Sequence, residues 1–101
     1  MEKLIGKALH EQIESWKKQY GKVFGIKVED HICYLRTPDR KTLSYATSVG
    51  AKDPIKFNEI LLNNCWLGGS EDIKTNDSLF LAVCGKLAEI IEVKEAELVN
   101  L

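Results

Sequence analysis

Cysteine is scarce in this chain, and its few copies do not pair: Cys33, Cys65 and Cys84 are odd in number, lie far apart and form no CxxC motif. That pattern excludes a disulfide framework, offers no zinc or redox motif and fits a reducing compartment. Long apolar runs are missing as well. None approaches the roughly 20 residues that a membrane span requires, so no membrane partner is expected. Charges flank the short apolar patch around Leu4 and Ile5, and the stretch Met1–Lys7 is not expected to act as a signal peptide. Excess charge of one sign is also lacking: 14 Lys+Arg face 15 Asp+Glu, a formal net charge of −1. With no bulk attraction to phosphate backbones or anionic lipid, nucleic acid is not expected as a partner.

What is present is ordinary globular composition, with 45% hydrophobic and 29% charged residues over 101 positions. That length implies one domain over residues 1–101, divided into an N-terminal helix at 1–21 and a hairpin plus helical cluster at 22–101.

Periodicity sets the expected elements. Ile5, Leu9, Ile13, Trp16 and Tyr20 fall on one helical stripe that Gly21 can end, which predicts an amphipathic N-terminal helix. The period then becomes two. Phe24, Ile26 and Val28 face one way, the turn Glu29-Asp30-His31 follows, and Ile32, Tyr34 and Arg36 alternate with Cys33 and Leu35, which predicts a β-hairpin. Thr37 as N-cap with Pro38 at the first helical position predicts a helix to Val49, with Leu43, Ala46 and Val49 buried and Gly50 past its end. The same grammar recurs at Asp53-Pro54, opening a helix that carries Phe57, Ile60, Leu61 and Cys65 inward and stops at Gly68-Gly69. After a polar stretch from Ser70 to Asn76, Asn76 or Asp77 caps a final helix. Its stripe runs through Phe80, Val83, Leu87, Ile90 or Ile91, Lys94 and Leu98, with fraying expected after Val93. The sum is an α+β fold, mostly helical: an N-terminal helix, a β-hairpin and a cluster of three helices.

Few residues are spaced for chemistry. A cysteine nucleophile needs a histidine beside it, and His10 and His31 are the available partners. Three cysteines at core-facing positions read more simply as small apolar side chains. The scattered His and Cys lack structural-zinc spacing, and Glu71-Asp72 and Asn76-Asp77 lack the spacing of a calcium loop. Gly68-Gly69-Ser70 is followed by no Lys-Ser or Lys-Thr, so it reads as a helix stop rather than a phosphate cradle. Lys17, Lys18, Lys22, Arg36, Arg40 and Lys41 are interleaved with acids and read as solvated faces. No catalytic residue, metal site or cofactor is therefore expected. The informative cluster is Asn63-Asn64-Cys65-Trp66-Leu67-Gly68-Gly69, where Trp66 and Leu67 either close the core beneath the turn or form an exposed apolar patch with a Trp anchor.

The segments Tyr34-Leu35-Arg36-Thr37-Pro38-Asp39-Arg40 and Lys52 through Gly69, ending in Cys65-Trp66-Leu67-Gly68-Gly69, resemble the small tail assembly chaperones of long-tailed bacteriophages and prophages. The resemblance covers residues 22 to 92 and leaves the N-terminal helix outside. It implies a non-enzymatic protein of the host bacterial cytoplasm that binds the aggregation-prone tape-measure protein, recruits tail-tube subunits and is absent from the finished virion. Trp66, Leu67, Arg36 and Arg40 are the positions that match, and they are the candidate protein-binding residues. A multi-copy coat would also imply a homo-oligomer, for which the hairpin edge offers one route. Two other functions stay open: a head–tail connector or tail-completion protein that remains in the particle, and a small cysteine- or metal-dependent enzyme.

Overall fold

The computed structural model describes residues 4–91 and 96–101. The fold is α+β with a helical majority. Its elements in chain order are α1 (His10–Tyr20), β1 (Val23–Val28), β2 (His31–Arg36), α2 (Arg40–Val49), α3 (Pro54–Cys65), β3 (Trp66–Gly69), the single turn α4 (Asp72–Thr75), α5 (Asp77–Leu87) and a 3-10 turn at Ala88–Ile90. The strands form one antiparallel sheet in the order β1-β2-β3.

The hairpin alternates as its sequence pattern demands. Phe24 lies opposite Leu35, Ile26 opposite Cys33 and Val28 opposite His31, and this face meets the main core. The other face pairs Gly25 with Tyr34 and Val23 with Arg36. The turn is tighter than its polar residues suggested: Glu29 and Asp30 alone connect the strands, and Glu29 adopts a positive φ of 54°.

Two clusters fill the interior. Ile26, Cys33 and Leu35 of the sheet pack with Leu62 and Cys65 of α3, Ile73 of α4 and Leu79, Val83 and Leu87 of α5. Ala46 of α2 packs with Ile60 and Leu61 of α3, joined by Leu43, Phe57 and Ile91. Because α3 contributes to both clusters, it ties α2 to the sheet layer.

The structure corrects several boundaries. The N-terminal helix begins at His10, so Ile5 and Leu9 do not share its stripe. Leu9 precedes it with no side-chain cap, and Gly6 turns the chain at a φ of +90°. Ile5 instead bonds to β2 in parallel, its N–H donating to Asp30 O at 2.6 Å and its carbonyl accepting from Ile32 N at 3.0 Å. Those paired backbone groups outweigh an uncapped helical turn.

At α2 the cap is Asp39, whose side chain accepts from Thr42 N at 2.7 Å, and neither Thr37 nor Pro38 is helical. Proline at 38 biases Thr37 toward extended backbone, which moves the helix start beyond it. Val49 points outward at 45% exposure, while Thr42 and Ala46 are buried. Asp53, by contrast, caps α3 as expected, accepting from Ile55 N and Lys56 N with Pro54 in the first turn.

The largest revision lies at Trp66–Gly69, which is a third strand rather than the end and stop of the preceding helix. Gly69 pairs with Cys33, Gly68 with Tyr34 and Trp66 with Leu35, leaving Leu67 as the extra residue of a β-bulge. Downstream, the polar stretch contains α4 with a fully buried Ile73. Of the stripe expected for α5, Val83, Leu87 and Ile90 are buried, while Leu79 takes the place of the half-buried Phe80, and Asn76 is the cap. Among the described residues the last helical turn ends at Ile90, and Leu98 is 98% exposed outside any helix. Val93 and Lys94 lie outside the described residues.

The start of α2 gives a direct check on this cap assignment. The buried Thr37 hydroxyl has no hydrogen-bond partner, so Thr37→Val is expected to preserve or raise stability in urea unfolding. The Thr42 N–H and hydroxyl hold the Asp39 carboxyl below the usual carboxylate range. A lowered folded pKa stabilises the fold above the ordinary carboxylate pKa, and that contribution fades as pH falls through the folded value. Asp39→Ala is therefore expected to lower stability at neutral pH by more than in acid; a constant difference across this range would contradict the cap.

Candidate protein-binding surface

The four candidate residues separate into different roles. Arg36, Trp66 and Leu67 come together where β2 and β3 meet, while Arg40 stands exposed on the first turn of α2. Arg36 donates from Nη2 to Asn64 O at 3.0 Å, near the C-terminal end of α3, where a cation is favoured by the helix dipole. Its guanidinium carbon also lies 5.9 Å from the centre of the Tyr20 ring. Arg36 thus joins β2, α3 and α1 within the chain.

Trp66 is half-buried and packs against the main core. Lys74 of α4 covers its ring, Nζ lying 4.3 Å from the centre, and is steadied by Glu71 at 3.6 Å. A cation over an indole face in a partly wet setting contributes about 0.5–1 kcal/mol. Leu67 is also half-buried, in the bulge. Trp66 therefore closes the edge of the core, and neither residue of the pair is fully exposed.

On its other side Lys74 borders a groove of about 330 Å³ between α3 and α5, lined by Ile55, Glu59, Lys74, Asp77, Phe80 and Leu81. Ile55 and Leu81 are each 53% exposed, and Phe80 is half-buried and rests on the core. Two apolar side chains on the walls, an aromatic ring below and charges of both signs around the opening suit the apolar face of an amphipathic segment. Reading the sequence as single stripes missed Ile55 and Leu81, because each falls off the buried face of its helix. The available signal was Leu79-Phe80-Leu81-Ala82-Val83, which is apolar on more than one side of a helix.

The thiols sit in the packing. Burial pushes Cys33 up to about 11, and burial also raises Cys65 and Cys84. A thiol held protonated is a poor nucleophile. The histidines pair elsewhere: His10 faces Glu14 at 4.0 Å, and His31 Nδ1 meets Ser70 Oγ at 2.8 Å with its Nε2 3.5 Å from Asp30. Asp30, His31 and Ser70 contain the residue types of a hydrolase relay. Ser70, however, is only 4% exposed, and its bond to His31 fastens the turn after β3 to the start of β2. Among the described residues no group of His, Cys, Asp and Glu could hold a metal ion, and no helix is long and apolar enough to cross a membrane.

Alkylation read by mass spectrometry checks the thiol environments. The half-buried Cys84 is expected to react before the fully buried Cys33 and Cys65, with all three reacting in denaturant. Fast modification of Cys33 in the folded protein would contradict its placement.

Compared with protein families, curated proteins and solved structures, the chain matches none, so what the groove holds must be read from its own side chains.

Proposed function

We propose that this protein is a non-enzymatic binding protein that holds an apolar helical segment in the α3–α5 groove, acting as a small tail assembly chaperone for the tape-measure protein of a long-tailed bacteriophage or prophage. The observation that carries this reading is the pair Ile55 and Leu81, both exposed to 53% on the walls of one groove with Phe80 beneath. Exposed aliphatic side chains beside an aromatic ring have a reason to persist where a partner covers them. A tape-measure helix offers repeated apolar positions at the i, i+3 and i+4 spacing that such a groove accepts. The resemblance of residues 22 to 92 to tail assembly chaperones supplies the partner, and it places the work in the host bacterial cytoplasm, where tail-tube subunits would follow.

Trp66 enters this reading indirectly. By holding Lys74 at the border of the groove it positions a cation there, while Arg36 organises the fold. Arg40 remains an exposed cation on α2, available to a partner's carboxylates.

Co-expression with the tape-measure protein of the same phage tests the proposal. The wild-type chain is expected to keep that protein soluble and to co-purify with it. Leu81→Glu and Ile55→Glu, which place a charge at exposed positions, are expected to retain the fold and weaken binding by tenfold or more, or about 1.4 kcal/mol. Unchanged binding by both variants would overturn the groove assignment. Stoichiometric recovery of the chain from finished particles would favour a connector or tail-completion protein instead.

A further inference from the structure

The charges that line the α3–α5 groove are not equally committed within the chain. Lys74, the cation among the lining residues, is engaged: its Nζ stands 4.3 Å from the centre of the Trp66 ring and 3.6 Å from Glu71 Oε2. Only 28% of its side chain is exposed. The carboxylates stand differently. Glu59, on the α3 wall, meets Lys56 at 3.4 Å one turn back on the same helix, and both side chains are 48% exposed. Water screens a pair of that kind and it contributes little, so Glu59 is readily shared with a second cation. Asp77, on the first turn of α5, is exposed, and its side chain forms no ion pair or hydrogen bond with any of the described residues.

The groove thus presents two exposed aliphatic walls, an aromatic floor and an opening whose uncommitted charge is negative. The whole chain has a formal net charge of only −1, so this sign is local to the groove. An occupant that brought a carboxylate here would face like charge at Glu59 and Asp77. An uncharged occupant would draw water away from Asp77 and return no partner. A cation set beside an apolar stripe meets both requirements. The chain's own exposed apolar residues Leu98, Val99 and Leu101 do not fit on charge, because Lys94, Glu95 and Glu97 just before them are acidic in balance.

We infer that the occupant of the α3–α5 groove is a basic amphipathic helix of another protein, whose apolar stripe covers Ile55, Leu81 and Phe80 and whose flanking Lys or Arg pairs with Asp77 and Glu59. The inference rests on the groove reading above and adds to it the charge of the partner. A Lys or Arg three or four positions from an apolar residue lies at the edge of the same helical face, which is the placement the two carboxylates require. Its stem lies along the apolar walls while its head reaches the acids. Asp77 and Glu59 then select among apolar helices and speed encounter, while Ile55, Leu81 and Phe80 supply the buried apolar contact.

The test titrates the full chain with three synthetic helical peptides that share one leucine stripe and differ only in the flanking residues, which are Lys, Glu or Gln. Binding is read by fluorescence anisotropy at low and at high salt. At low salt the Lys peptide is expected to bind about tenfold more tightly than the Glu peptide, with the Gln peptide between them and the gap narrowing as salt rises. Asp77→Asn with Glu59→Gln is expected to close most of that gap, and Asp77→Lys with Glu59→Lys to reverse it. A reversed preference is a gain that a misfolded variant does not produce. Equal binding of the Lys and Glu peptides would overturn the inference, as would a preference for Lys that both double variants leave intact. The groove itself is judged separately by Ile55→Gln with Leu81→Gln, which adds no charge. Weakened binding of every peptide supports the groove whatever the order of the peptides. Unchanged binding, or no binding of any peptide to the wild-type chain, removes the groove and the inference with it.

Discussion

The arrangement depends on one close approach: a strand with no Cβ at two successive positions lies between a tryptophan and the middle of the sheet. A Cβ at Gly69 would lie 2.5 Å from the Cys33 Cα, and one at Gly68 would lie 3.0 Å from the Trp16 ring. Gly69 also has a φ of +134°, outside the range that other residues adopt readily. With both glycines in place β3 can pair with β2, Trp66 can close the core beneath Lys74, and Trp16 can settle on the outer face beside Tyr34. The marginal two-stranded hairpin thereby becomes a sheet of three strands covered on both faces. Ser70, next in the chain, extends this contact by donating its N–H to Ile32 O and by the hydrogen bond between its hydroxyl and His31 Nδ1.

Much of the fold was legible because local signals agreed with the final packing. The alternation of Phe24, Ile26 and Val28 with Cys33 and Leu35 fixed the hairpin faces, and Asp53-Pro54 marked the start of α3. The failures share a cause: local pattern was outweighed by long-range backbone pairing. Ile5 has helical spacing to Leu9 and Ile13, yet its backbone is used by β2. Gly68 and Gly69 look like a stop signal, and only the proximity of Cys33 and Tyr34 reveals a strand. At Thr37 a cap residue followed by proline met a strand that runs on through Arg36, and the cap of α2 falls at Asp39 instead.

The candidate site was legible in kind and less so in place. Trp66 does mark the region, but as part of the core edge that holds Lys74; the exposed apolar atoms belong to Ile55 and Leu81. Such residues cannot be found from a single helix stripe, because their exposure follows from how α3 and α5 meet. Arg36 illustrates the converse. The resemblance made Arg36 a candidate binding residue, and its guanidinium reaches back to Asn64 and Tyr20. The surfaces divide accordingly, with the groove on the helical side and the N-terminal arm on the outer face of the sheet.

Amide hydrogen exchange resolved by NMR over residues 66–70 tests the central claim most directly, that this glycine-bearing segment is a paired strand. The account predicts that the Ser70 N–H, which donates to Ile32 O at 2.9 Å, exchanges as slowly as the amides paired between β1 and β2. Exchange across 66–70 at the rate of an open loop would contradict it, because neither the Trp66–Lys74 border of the groove nor the Trp16 seat of the arm would then have a strand to rest on.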